Sequence, residues 1–273
     1  MKRTCMRTGR SALAAVLGGT IALGVLTAQP AQAADTGIKV SKVVVNKGKP
    51  IVVGTTETKY PTISFRVTWP AGHTISTASA MPFMYHGTTA VKAYEGPGNQ
   101  VFHHDMITCN EDGSRAANCE GALRIRPREN LDSAADATTW KLAFVALLDV
   151  KGKIKHEYLN SSATLQVKRA ARATVNASPE PVVRNRTLTV TGKLTRVDWA
   201  RRAYSAYGGK AARLEFRKAG TTAWTAVKTV RANSSGSLKT TVKATADGYW
   251  RWMFGQTTTT GGATSAADYV DVK

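Results

Sequence analysis

The sequence predicts an all-β chain of two sandwich domains, and three observations carry that expectation. Apolar residues recur at every second position over runs of about five to eight residues. Glycine-marked turns separate these runs at near-regular spacing. No long amphipathic helical period occurs anywhere in the 273 residues. Short strands in this rhythm are the signature of sheet-on-sheet packing, and the missing helices argue against the α/β classes.

The elements follow in order. Residues 1–33 read as a leader: Lys2, Arg3, Arg7 and Arg10 form a basic start without any acid. Ser11 to Thr27 carries no charge, and Ala31-Gln32-Ala33 supplies a small-x-small cleavage site. A retained anchor helix is the weaker reading, because the apolar stretch is near the lower length for a span and ends at a processing site. Cleavage after Ala33 removes Cys5 and leaves no integral membrane association.

Residues 34–168 read as the first domain. Ile38, Val40 and Lys42 begin an alternation that breaks at Val43-Val44-Val45, and Asn46 to Pro50 turns the chain into Ile51-Val52-Val53. Pro61 to Trp69 is the clearest period-2 run, with Ile63, Phe65, Val67 and Trp69 on one face. Ala71 to Arg128 is the least regular stretch. Val101 to Thr108 reads as a strand entering an acidic loop, and Ala122 to Arg126 as the strand leaving it, Leu123 and Ile125 inward. Trp140 to Val150 is apolar on both faces, as a central strand would be; a buried helix is the competing reading. Lys151-Gly152-Lys153 turns into a closing edge strand over Ser162 to Lys168.

Residues 169–273 read as the second domain, entered through the basic joint Lys168-Arg169-Ala170-Ala171-Arg172. Leu188, Val190 and Leu194 alternate with polar residues. Leu214 and Phe216 point inward, with Glu215 outside between Arg213 and Arg217. Further strands are expected over Trp224 to Val230, Leu238 to Lys243, Tyr249 to Phe254 and Ala267 to Val272. Trp250, Trp252 and Phe254 share one face and are expected in the core.

The runs Leu188 to Arg196, Leu214 to Arg217, Leu238 to Ala244, Asp247 to Trp252 and Asp268 to Val272 resemble the C-terminal domain of uncharacterised secreted actinobacterial (Streptomyces-type) proteins. The resemblance covers about residues 172–273 and matches the first domain only in outline. It implies an immunoglobulin-like sandwich and, through a label that some members carry, calcium binding; it supplies no catalytic residue.

Chemistry in the sequence is sparse. The formal charge is +20, and the leader holds four of the positives, which leaves about +16. Such a balance favours an anionic cell-envelope polymer or an extracellular protein, and nucleic acid only non-specifically. Arg124, Arg126, Arg128, Lys168, Arg169, Arg172, Arg201 and Arg202 are the candidate contact residues. Cys109 and Cys119, the two cysteines left after cleavage, are expected to form a disulfide in an oxidising compartment. An EF-hand is excluded, since no run sets acids at positions 1, 3 and 5 with glycine at 6 and glutamate at 12. Asp105, Glu111, Asp112 and Glu120 remain as an irregular oxygen-ligand set for calcium, and His73, His86, His103, His104 and Asp105 as an alternative metal or enzyme site. No Gly-x-Ser-x-Gly elbow, His-Glu-x-x-His or phosphate-cradling loop is present. The sequence points to a non-catalytic binding or structural protein, secreted or wall-associated, without a resident cofactor.

Overall fold

The computed structural model describes residues 35–96 and 101–273, so the leader and its cleavage site lie outside the described residues. The fold is all-β, built around two apolar cores. Strands β1 (Lys39–Val45), β2 (Ile51–Val53), β3 (Thr62–Thr68) and β4 (Ala78–Tyr85) precede a short helix α1 (Ala90–Glu95). Strands β5 (Val101–Glu111) and β6 (Ala116–Leu123), a single helical turn α2 (Pro127–Asn130), β7 (Thr139–Val150) and β8 (Lys153–Arg169) complete the first half.

These eight strands form one sheet in the order β1-β3-β6-β5-β4-β7-β8-β2, folded over so that its two ends face each other. The alternating residues of β3 meet those of β7 across the core, where Phe65 and Phe144 stand edge to face at 4.9 Å. Strand β5 makes the corner: its start pairs with β4 and its end with β6, with a register break between His104 and Ile107. Gly121 permits that break, because a Cβ there would sit 1.9 Å from the Met106 carbonyl oxygen. The bulge turns Met106 outward, and its side chain is left in solvent. The broken alternation at Val43–Val45 is likewise a bulge, with Lys42 at φ 52° and the β1–β3 register shifting between Ser41 and Val44.

The stretch expected to be irregular holds three long strands. Strand β4 has no clean alternation because both of its faces are covered: Met84 joins the main core, while Phe83 and Tyr85 pack under α1 with Ala90, Val101, Ala143 and Val145. The same helix covers the outer face of β7, which is a strand and is buried on both sides. Pro82 sits one residue beyond the β4–β5 pairing. Strand β6 begins six residues earlier than expected. Strand β8 is 17 residues long and is not an edge at its end, since β2 pairs with it in parallel, Ile51 beside Val167.

The second half comprises β9 (Ala171–Ala173), β10 (Asn176–Ser178), β11 (Thr187–Asp198), β12 (Ala203–Ala206), β13 (Ala211–Lys218), β14 (Thr225–Arg231), β15 (Ser237–Lys243), β16 (Gly248–Phe254), β17 (Ala263–Thr264) and β18 (Asp268–Val270). Strand β11 gathers β9, β10, β12 and β15 into one sheet; β13, β14, β16, β17 and β18 make the other. Leu188, Val190, Leu194, Leu214, Leu238, Trp250, Trp252 and Phe254 fill the space between them. Trp252 is fully enclosed and donates its Nε1–H to the Thr191 carbonyl at 3.0 Å, so the indole nitrogen is buried without a lost hydrogen bond.

The described residues from 35 onward belong to one compact unit, and the two cores meet along a dense joint. Val197 and Trp199, carried by the second sandwich, pack into the first core. The Trp199 indole donates to the Gly54 carbonyl at 3.0 Å, and Ala170 N–H donates to Val53. This joint overturns one expectation: Lys168 and Arg169, placed on the surface by the sequence reading, are only 7% and 8% exposed. The cause is tertiary, because Arg169 pairs in backbone register with the 259–261 loop of the second sandwich.

Candidate functional site

The outer face of the β10–β11–β15 sheet is the most distinctive charged surface. Inward residues of β11 and β15 (Leu188, Val190, Leu194, Leu238 and Thr240) alternate with Thr187, Thr189, Thr191, Lys193, Ser237, Lys239, Thr241 and Lys243, so the latter line the opposite face. The antiparallel register sets Thr187 beside Lys243, Thr189 beside Thr241, Thr191 beside Lys239 and Lys193 beside Ser237. Asn176 and Ser178 of β10 flank the threonine row. No acid occupies any of these positions, and Lys193, Lys239 and Lys243 enter no ion pair among the described residues. Lys239 and Lys243 stand about 13 Å apart along the strand at roughly 3.3 Å per residue. Arg186, just before β11, extends the charge and is exposed. The face offers ammonium groups set among hydroxyls on an open sheet surface. Those groups hydrogen-bond anionic oxygens along an extended chain, and an open surface gives a small ligand no enclosure.

The residues singled out from the sequence lie elsewhere, and most are already engaged. Arg124 pairs with Asp105 at 3.1 Å and Arg126 with Glu129 at 2.8 Å, while Arg128 is exposed on α2. Arg172 lies over the Tyr204 ring at 3.7 Å. Arg201 pairs with Asp198 at 3.6 Å, and Arg202 is exposed at φ 53°. With Lys168 and Arg169 buried, the eight do not form one face.

The acidic candidates are also dispersed. Asp105 faces Arg124. Asp112 accepts from Arg66 and from Asn118, and the Arg66 hydrogen bond foremost holds its carboxyl below the ordinary value. Glu111 and Glu120 are exposed on the β5–β6 hairpin. Among the described residues no group of three or more His, Cys, Asp or Glu is placed to hold a metal ion. Cys109 and Cys119 face each other in register across that hairpin and are disulfide-bonded, with Cα atoms 4.0 Å apart.

The histidines part company as well. His73 lies against Thr77, its carbonyl accepting from the Trp69 indole at 2.9 Å. His86 meets the buried carboxylate of Asp136 at 3.1 Å and packs on Trp140 at 4.4 Å between ring centroids. Asp136 also accepts two backbone N–H bonds of 2.8 Å from Asp132 and Ser133, which marks it as the anchor of a turn. His103 is exposed on β5 and packs near Tyr94; partial burial of its ring foremost, then His104 and Arg124, keep its pKa below the ordinary value. His86 and Asp136 are 50 residues apart, and nothing in their sequence spacing signals the pair.

On the opposite sheet of the second sandwich, Glu215 is on the outer face as expected but is 5% exposed. Arg213 and Arg251 clamp it at 2.6–2.8 Å, and Arg251 stacks on Trp224 at 3.9 Å. Burial raises the Glu215 pKa, and the hydrogen bonds from Arg251 and Arg213 outweigh it, so the carboxyl titrates below its ordinary value. Arg217 lies 4.1 Å over Tyr249 and 5.3 Å over Trp224. These guanidiniums occupy the ring faces that a stacked sugar needs. Tyr204 lies on β12 and Tyr207 just after it, away from this face; Tyr207 is buried against Phe254.

No family model matches the chain, and no curated protein does. Among solved structures it is similar to a marsupial T cell receptor, at 9% identity and TM-score 0.41, over 86% of this chain and 73% of that one. It is similar to fibronectin(III)-like modules of Clostridium thermocellum CbhA at 15% identity and TM-score 0.28, over 84% and 92%. It is also similar to the mouse nectin-like molecule 4 ectodomain (Ig1–Ig3) at 14% identity and TM-score 0.24, over 84% of this chain. The chain spans 63% of the length of that ectodomain.

Proposed function

We propose that this chain is an exported, non-catalytic binding protein that lays the lysine–threonine face of its second sandwich against an extended anionic polymer of the cell envelope. One observation carries the reading: Lys193, Lys239 and Lys243 project from one outer sheet face whose β11 and β15 positions hold no carboxylate. The leader-like residues 1–33, the disulfide and the excess of about sixteen positives beyond the leader support the same compartment and the same sign of partner. The first sandwich presents its arginines largely as ion pairs, which leaves them less to gain from a new anion. Lysines on the outward side of β15 also discourage another chain from adding to that edge, a role compatible with polymer binding.

The test is retention on a polyol-phosphate polymer, with a neutral polysaccharide as control, across ionic strength. Contacts of this kind weaken steeply with salt, because the Debye length falls from about 10 Å at 0.1 M to about 3 Å at 1 M. Lys193→Gln, Lys239→Gln and Lys243→Gln together are expected to abolish most retention, whereas Arg124→Gln with Arg126→Gln changes it little. Salt-independent retention, or a triple variant retained like the parent, refutes the proposal.

A further inference from the structure

The joint between the sandwiches holds a second concentration of positive charge, built differently from the lysine face. Arg169 ends β8 with its backbone fixed on both sides: its N–H donates to Thr259 at 3.0 Å, and its carbonyl accepts from Gly261 at 2.9 Å. The residue is 8% exposed, and its Nε–H is buried without a hydrogen-bond partner among the described residues. Arg196 reaches in from β11, its guanidinium 4.2 Å from the centre of the Tyr207 ring, and Lys210 Nζ lies 5.5 Å from the same centre. Tyr207 is itself buried and donates its hydroxyl to Thr260 Oγ1 at 3.3 Å. Thr257 approaches the same hydroxyl without the geometry of a hydrogen bond, and its Oγ1 is the second buried polar atom without a partner.

Counter-charge here is thin. Asp198 is the nearby carboxylate, and it is engaged by the Arg201 backbone N–H at 3.2 Å and side chain at 3.6 Å. Burial foremost, then the neighbouring Arg196, hold the Arg169 guanidinium below its ordinary pKa. A buried charged donor without an acceptor is costly, and a like charge beside it adds to the cost. Both costs are relieved by one acceptor-rich anion. Arg196, Lys210 and Thr257 are only partly buried, so solvent reaches the neighbours of the buried Arg169.

The geometry points to a site for a small tetrahedral oxyanion, phosphate or sulfate, held by Arg169, Arg196 and Lys210 with the hydroxyl of Thr257. Guanidinium, ammonium and hydroxyl donors from separate elements gather around Tyr207, and such a mixed set suits four oxygens better than the two of a carboxylate. Because Arg169 and Thr257 belong to the two sides of the joint, the bound ion ties the sandwiches together. This inference stands apart from the polymer reading, which uses none of these residues.

The test is calorimetric titration of the full chain with inorganic phosphate and, separately, sulfate, at ionic strength held constant with chloride. Saturable binding at one site and a rise in melting temperature are expected. Arg196→Gln and Thr257→Val, both at partly exposed positions, are each expected to weaken phosphate binding at least tenfold. Arg169→Met is expected to abolish it where that variant folds. Lys239→Gln with Lys243→Gln is expected to leave it unchanged. A non-saturable response, or one lost equally in the Lys239/Lys243 variant, reveals general screening of a basic protein and overturns the proposal. So does saturable binding that Arg196→Gln and Thr257→Val leave intact.

Discussion

Replacing Trp199 by alanine tests whether the two sandwiches act as one body. Trp199 belongs to the second sandwich by sequence, yet it is buried in the first core and holds the Gly54 carbonyl through its indole N–H. Truncating a buried tryptophan costs about 3–5 kcal/mol in transfer and cavity terms. Leaving the Gly54 carbonyl without its donor adds about 1 kcal/mol. A total of about 4–6 kcal/mol, at about 2–4 °C per kcal/mol for a protein of this size, lowers Tm by about 8–24 °C. The loss falls on the joint and on neither core alone, so the form of unfolding changes as well. Scanning calorimetry is expected to show one transition for the parent and two for Trp199→Ala. Trp199→Phe, which keeps most of the packing but not the donor, is expected to retain one transition with a shift under half as large. A parent that already unfolds in two steps, or an alanine variant that loses less than about 1 kcal/mol in one step, refutes the reasoning.

Two other perturbations separate what the chain needs from what it merely contains. The disulfide closes about ten residues of a hairpin whose strands are already paired with β3 and β4, so reduction is expected to cost at most about 3 kcal/mol. Circular dichroism of the reduced protein at 25 °C should show the native spectrum, and loss of strand signal there contradicts a stapling role. Glu215 titrates below its unfolded value of about 4.3, so its clamp contributes stability above that pH and loses it as pH falls through the lower folded value. Glu215→Gln is expected to lower stability at pH 7 by about 2 kcal/mol and to flatten the decline of Tm below about pH 4.3; an unchanged acid limb in thermal melts counts against the clamp.

Local alternation made part of this fold legible. Along β3 and the residue after it, Ile63, Phe65, Val67 and Trp69 are all buried, and in β16 Trp250, Trp252 and Phe254 are buried as well. One face of each strand meets a core and the other meets water or a thin polar cover, so a period of two survives in the sequence. Strand β4 defeats the same reading. Its residues face two different cores, one of them made by α1, and Pro82 removes the local strand signal. The burial of Lys168 and Arg169 is beyond any local pattern, because the loop that covers Arg169 is about ninety residues away.

Charge divides along the same line, and that bears on which basic surface is free to bind. Arg66 on β3, and Arg124 and Arg126 between β6 and α2, look available in the sequence, but the structure brings Asp112 to Arg66, Asp105 to Arg124 and Glu129 to Arg126. Their neutralisation depends on register and on turns, which alternation alone does not reveal. The β11–β15 face differs in kind. Residues 187–193 and 237–243 hold three lysines and no acid, so no register between these two strands sets a carboxylate beside those lysines. The decisive signal was present as Thr-Leu-Thr-Val-Thr-Gly-Lys and Ser-Leu-Lys-Thr-Thr-Val-Lys, two alternating runs whose polar positions are only hydroxyls and ammoniums. A surface left uncompensated by its own strands is a stronger basis for a binding assignment than a larger count of cations whose partners arrive from elsewhere in the fold.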